Sequence, residues 1–160
     1  FEYSLDKKRM YDQDRRLLST IQDLLFKELA NSLDTSFEDI LPLFKDSSIN
    51  KIISVLPDPK YIDKKYREQW TTLYKTIYKK LVKQGTFILI TEITDELFQP
   101  VSNHEFYKEV ENLKQIFQSI GFIILDAFEG YQENYMTSFL KEFNGDPERI
   151  RIINFEFTKK

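Results

Sequence analysis

The 160 residues carry a formal net charge of −3, with 41% hydrophobic residues, 15% aromatic residues and no cysteine. That length suits one domain with a sizeable core, and the weakly acidic balance excludes a basic nucleic-acid footprint and a disordered acidic tail alike. Disulfides and thiolate metal sites are ruled out, and no apolar run nears the roughly 20 residues of a membrane helix.

The chain opens on Phe1-Glu2-Tyr3-Ser4, without methionine or a leader segment, which predicts a processed chain or a piece of a longer one. Residues 1–5 are a candidate strand. Leu17, Ile21, Leu24 or Leu25, and Leu29 recur at helical spacing and predict a helix over about 11–29. Residues 31–35 are a second candidate strand. A short turn-helix is expected over 37–44, ending near Pro42. The apolar run 49–56 predicts a buried strand of the kind found in parallel sheets.

That strand must stop at Pro57-Asp58-Pro59, because neither proline has an N–H and each restricts the residue before it. A loop is expected to Tyr66. A helix over about 68–83 follows, with Trp70, Leu73, Tyr74, Ile77, Tyr78 and Leu81 on one face and Gly85 as its breaker. Residues 86–91 predict another strand. Phe106, Val110, Leu113, Phe117 and Ile120 predict a helix over 104–120 closed by Gly121. Strands are then expected over 122–128 and 150–157, with a short helix near 138–143 between them. Strand and helix alternate, so the expected class is α/β, with a mainly parallel sheet flanked by helices in a single domain, residues 1–160.

Asp58 sits at the carboxyl end of a strand, where open α/β sheets place their ligands, although an aspartate between prolines also serves simply to turn the chain. Thr91 and Glu92 end the next strand in the same way. Lys60, Lys64, Lys65 and Arg67 follow Asp58, interleaved with Tyr61 and Tyr66, a pattern able to grip phosphates and stack bases. Asp63 and Glu68 reduce the local charge. His104 is the only histidine and is expected at an exposed helix start, which argues against histidine-based catalysis or a zinc site. No G-x-G and no P-loop occur in the chain.

Several of these residues stand in an order that resembles the tRNA (guanine-N7-)-methyltransferases, especially their eukaryotic branch. Leu56-Pro57-Asp58-Pro59-Lys60-Tyr61 is similar to that family's Phe-Pro-Asp-Pro-aromatic-Phe, and Gly85 with Thr91-Glu92 to its Gly…Thr-Asp strand. Phe1-Glu2-Tyr3-Ser4 resembles Gly-hydrophobic-Glu-Ile-Arg, whose Glu holds the ribose of S-adenosylmethionine. Tyr11-Asp12-Gln13-Asp14-Arg15 resembles the start of the helix that follows. Thr35-Ser36-Phe37 stands where the family contacts the adenine, and Met136-Thr137-Ser138-Phe139-Leu140 where it has Thr-x-x-Glu.

The resemblance implies a Rossmann-like class I methyltransferase fold whose first strand and glycine-rich turn are missing from this chain. It implies S-adenosylmethionine as cofactor, held by Glu2, Ser36, Phe37 and Leu56. Catalytic roles fall to Asp58, Thr91, Glu92 and Thr137, and RNA contacts to Lys60, Tyr61, Lys64, Lys65 and Arg67. A tRNA substrate and a β-propeller (WD-repeat) partner subunit are implied as well, in the nucleus or cytoplasm, with an organelle left open. The chain departs from the family in Glu92 for Asp, in Leu140 for Glu, and in the absent glycine-rich turn. Beside the enzyme reading, these departures open an alternative: an inactive methyltransferase-like structural subunit of a larger ribonucleoprotein or multi-protein assembly.

Overall fold

A computed structural model describes residues 37–94, 99–137, 140–141 and 149–160. The chain divides into two units, Phe1–Ile40 and Leu41–Lys160. In the first, the described residues form one helical turn, Phe37–Ile40. The strands expected over 1–5 and 31–35 and the helix over 11–29 lie outside the described residues.

The described residues of the second unit hold four strands, β1 (Ile49–Val55), β2 (Leu81–Ile93), β3 (Phe122–Glu129) and β4 (Arg151–Lys159), in the spatial order β1-β2-β4-β3. Helix α1 (Arg67–Lys80) connects β1 to β2, and α2 (Asn103–Ile120) lies between β2 and β3. β1 and β2 are parallel, whereas β4 runs antiparallel to both β2 and β3. Of the described strands, three therefore point one way and β4 is reversed. The expected shared direction holds for β1, β2 and β3, but only one neighbouring pair among the described strands is parallel.

Both helices cover the same face of this sheet. Trp70, Leu73, Tyr74 and Ile77 of α1 and Phe106, Val110, Leu113 and Phe117 of α2 join Phe87, Leu89, Phe122, Phe155 and Phe157 in one apolar cluster. The rings of Phe117 and Phe157 lie 4.5 Å apart between centroids, and Phe87 stacks on Phe157 at 5.7 Å. Contacts of this kind add specificity beyond the area they bury. Trp70 also donates its indole N–H to the Asp63 carbonyl at 2.8 Å, which anchors the β1–α1 connection to the core.

The opposite face carries a smaller cluster of Leu56, Ile88, Ile90, Leu140 and Ile152, with Tyr131, Tyr135, Met136 and Ile150 packed against it. β1 is less buried than its apolar run predicts, because it is an edge among the described strands and exposes Lys51 and Ile53. Helix α1 stops at Lys80, before the expected residue 83. Leu81 pairs with Ile49 and begins β2, Gln84 takes φ 61°, and a Cβ on Gly85 would come within 2.8 Å of the Val82 carbonyl oxygen. Gly85 thus serves an irregular strand entry rather than a helix end. Gly121 does close α2, at φ 119° and flush against the Tyr78 ring.

Candidate active-site rim

The register pairs Val55 with Ile90, and the Leu56 N–H donates to the Ile90 carbonyl at 2.7 Å. The corner after β1 and the end of β2 are thereby brought to one rim, as expected for Asp58, Thr91 and Glu92. Leu56 makes the turn at φ 47°, a left-handed conformation that is uncommon outside glycine, while its side chain remains in the second apolar cluster. That burial leaves Leu56 no side chain to offer a cofactor.

Asp58 is exposed at this corner, and its Oδ1 accepts the Lys60 N–H at 3.0 Å, capping the single turn Pro59–Tyr61. Asp63 repeats the device over Lys64–Tyr66, accepting from the Lys65 N–H at 2.9 Å. Two aspartate-capped turns in succession account for the shape of this segment. Asp58 therefore has a structural task, with Oδ1 alone engaged in it.

Thr91 and Glu92 are adjacent in a strand and so face opposite sides of the sheet. Thr91 follows Leu89 and Ile93 toward the helices. It is fully buried, and its hydroxyl makes a long bond of 3.4 Å to the Glu92 carbonyl. Glu92 follows Ile88 and Ile90 onto the other face, half-buried, and its Oε2 has no hydrogen-bond partner among the described residues. Burial pushes its carboxyl above the ordinary value of 4.5.

Thr137 is exposed and caps the backbone at Leu140, its Oγ1 accepting the Leu140 N–H at 3.0 Å. Leu140 is completely buried with Leu56 and Ile90. It is a core side chain rather than a vacant place for a carboxylate.

The residues expected to grip RNA are largely engaged within the protein. Lys64 pairs with Glu109 of α2 at 2.9 Å, and Arg67 approaches the same carboxylate at 3.8 Å. Lys60 lies over the Tyr61 ring at 4.6 Å and Lys65 over Tyr66 at 5.5 Å, while both tyrosines pack against the core. Of the cofactor positions, Glu2 and Ser36 lie outside the described residues. Phe37 is exposed within the other unit. The expected cofactor contacts are thus not assembled among the described residues.

A cleft of about 340 Å³ opens on the rim. It is lined by the β1–α1 connection (Pro59, Ile62, Asp63 and Lys64), the end of β2 (Glu92 to Thr94), Val101, and Glu105, Glu109 and Leu113 of α2. Arg151, at the start of β4, braces the surroundings. It holds Glu129 through two bonds of 2.7 and 2.9 Å, donates to Asn103 at 3.0 Å, and lies 3.9 Å from the Phe106 ring centroid. Sequence reasoning missed both Arg151 and Asn154. A polar side chain inside the apolar run Ile152-Ile153-Asn154-Phe155 was the available signal for the second.

No protein-family model matches this chain, and no curated protein sequence matches it. Among solved structures, a protein assigned as an S-adenosylmethionine-dependent methyltransferase from Listeria monocytogenes is similar at 19% identity and a TM-score of 0.51, covering 79% of this chain and 67% of that one. An S-adenosylmethionine-dependent methyltransferase from Mesorhizobium loti matches at 14% identity and TM-score 0.46, over 72% and 64% of the two chains. A protein assigned as a DNA modification methylase from Thermus thermophilus matches at 12% and 0.48, over 76% and 50%. This chain spans between half and two-thirds of those structures. The first likeness shows a methyltransferase-like α/β fold, with its mixed sheet and flanking helices.

Proposed function

We propose that the chain forms part of an S-adenosylmethionine-dependent methyltransferase acting on a nitrogen nucleophile, with guanine N7 of tRNA as the specific acceptor. One arrangement carries this reading: in a methyltransferase-like fold, the Pro-Asp-Pro corner and Glu92, whose Oε2 has no hydrogen-bond partner among the described residues, lie on the rim where the neighbouring parallel strands β1 and β2 end. Ligands of open α/β sheets bind outside the carboxyl ends of the strands. The specific acceptor rests on the resemblance of Leu56-Pro57-Asp58-Pro59 to the tRNA guanine-N7 enzymes.

S-adenosylmethionine, when bound, supplies an electrophilic methyl group. Guanine N7 presents a free lone pair, so no side chain has to remove a proton. The chain's own residues then contribute position and exclusion of water. Glu92 is a suitable acceptor for the N–H edge of a base, and its half-buried setting strengthens such a bond relative to water. Asp58 keeps Oδ2 available beside the turn that its Oδ1 caps. Lys64 is paired with Glu109 and Arg67 lies 3.8 Å from the same carboxylate, so their contact with the RNA backbone competes with that acid.

The test is transfer of labelled methyl from S-adenosylmethionine to a tRNA transcript by the intact protein. Label is expected on ordinary transcript and absent from one built with 7-deazaguanosine, which has no N7. Label that persists on the deaza transcript contradicts the guanine-N7 assignment. No label on any RNA, together with no binding of S-adenosylhomocysteine, returns the chain to the structural-subunit alternative.

A further inference from the structure

Beyond the rim residues already described, the sheet face opposite the helices carries a second set of polar groups. Asn154 sits in β4 between Ile153 and Phe155, whose side chains join the helix-side cluster, so Asn154 points to the other face with Ile152. The register pairs Ile90 with Asn154 and Glu92 with Ile152. Glu92 and Asn154 are therefore diagonal neighbours on one face, roughly 7–8 Å apart at the backbone. Tyr131 packs against the same apolar cluster, just after Gly130, whose N–H is bonded to the Ile152 carbonyl.

Each of these three residues has a buried polar atom without a hydrogen-bond partner among the described residues: Glu92 Oε2, Asn154 Oδ1 and Tyr131 Oη. Asn154 is only 2% exposed, and its Nδ2 is fixed by the Gly130 carbonyl at 2.5 Å, which leaves its amide oxygen oriented and unused. A buried group with its bond unmade carries the full penalty of lost hydration, so three on one patch near the ligand-binding rim point to a missing complement. Two of the three are pure acceptors when Glu92 is ionised, and the third is a hydroxyl that serves either way. The surroundings are apolar and aromatic, from Leu56, Ile90, Ile152, Tyr135 and Met136.

We infer that Glu92, Asn154 and Tyr131 form a subsite for a substrate group carrying two or more N–H donors, either an amine or the N–H edge of a nucleobase. The inference rests on the methyl-transfer reading for its place in the reaction, and it assigns recognition of the acceptor to Asn154 and Tyr131 in addition to Glu92. Donors are required because a carbonyl or phosphate oxygen would face the Glu92 carboxylate and the Asn154 oxygen with no hydrogen to share.

The test uses guanosine, inosine and benzylamine as probes, with binding to the intact protein followed by calorimetry and thermal unfolding. Guanosine binding that weakens about tenfold in Tyr131→Phe, equivalent to about 1.4 kcal/mol for the lost bond, supports the subsite with a base as its occupant. Inosine, which lacks the exocyclic amine, is then expected to bind more weakly than guanosine. Benzylamine bound in place of guanosine, with the same sensitivity, supports the subsite with an amine as its occupant. Asn154→Leu is expected to abolish binding of either probe. Since it also removes the bond to Gly130, Tyr131→Phe is the variant that leaves the backbone contacts intact. Failure of all three probes, or binding indifferent to Tyr131→Phe, overturns the inference, as does lowered stability of that variant with binding unchanged, the mark of a water-filled structural site. S-adenosylhomocysteine binding is measured separately: if it persists while the probes fail, only the subsite is lost, and if it fails while the probes bind, only the methyl-transfer reading is lost.

Discussion

Asp58 and Lys60 are joined across the Pro-Asp-Pro corner by a 3.0 Å bond from the Lys60 N–H to the Asp58 carboxylate. The same side chain is the expected orienter of the substrate, so its two roles need separate probes. Asp58→Asn keeps an acceptor oxygen and should leave stability within about 0.5 kcal/mol of the parent, while Asp58→Ala should lose about 1 kcal/mol in urea denaturation. If the charge serves catalysis, methyl transfer falls in both variants. If only the turn matters, Asp58→Asn stays fully active.

Leu140 is fully buried against Leu56 and Ile90, so restoring a family-like glutamate there is expected to damage the fold rather than improve catalysis. Leu140→Glu should cost at least about 3 kcal/mol, whereas Leu140→Met should cost less than about 1.5 kcal/mol. Denaturant midpoints check both. A Leu140→Glu variant as stable as the parent would show that the side chain reaches solvent.

Glu92 carries a carboxyl raised above 4.5 by burial, and the sign of its effect on stability follows from that direction. Between the ordinary value and the raised one, the folded state binds more protons than the unfolded state. Stability therefore falls as pH rises through that window. Glu92→Gln should abolish this fall, leaving the variant at least as stable as the parent at neutral pH and converging with it near the ordinary carboxylate value of about 4. Thermal unfolding across that range measures it. A parent whose stability rises through the same window would contradict the assignment.

Arg151 has a nearly buried guanidinium bound in two places to Glu129 and to Asn103. Arg151→Lys keeps the charge but not the paired geometry, and about 1–2 kcal/mol should be lost. Arg151→Ala should lose about 2–3 kcal/mol, with the larger effect on protection of amide hydrogens at the start of α2 in hydrogen exchange.

Lys64 pairs with Glu109 and Arg67 lies 3.8 Å from the same carboxylate, so RNA affinity should respond to the acid as well as to the bases. Glu109→Gln should raise affinity for tRNA and steepen its salt dependence by about one unit for each cation released to phosphate. An unchanged salt slope would show that this face does not meet RNA.

How far the sequence reaches is seen in individual elements. α2 was legible because Phe106, Val110, Leu113 and Phe117 recur at helical spacing and Gly121 follows; its Ser102–Glu105 capping box starts it one residue before the expected position. β1 ended where Pro57 and Pro59 require. The reversal of β4 was hidden, because strand direction is settled by nonlocal pairing with β2 and β3 and leaves no periodicity of its own. The early start of β2 was hidden for a related reason: Leu81 lies on the apolar face of a helix-like pattern, and only its pairing with Ile49 decides the matter. At the site, the rim positions of Asp58, Thr91 and Glu92 were legible from their strand ends. That Thr91 turns toward the helices, that Leu140 fills a core position, and that Asn154 and Tyr131 share a sheet face with Glu92 depended on register and packing.

Calorimetric titration of the intact protein with S-adenosylhomocysteine tests the central claim most directly. Micromolar binding at one site per chain is the predicted result. No heat at millimolar ligand, from protein shown to be folded by its cooperative unfolding, would contradict the claim and leave a methyltransferase-like fold put to another use.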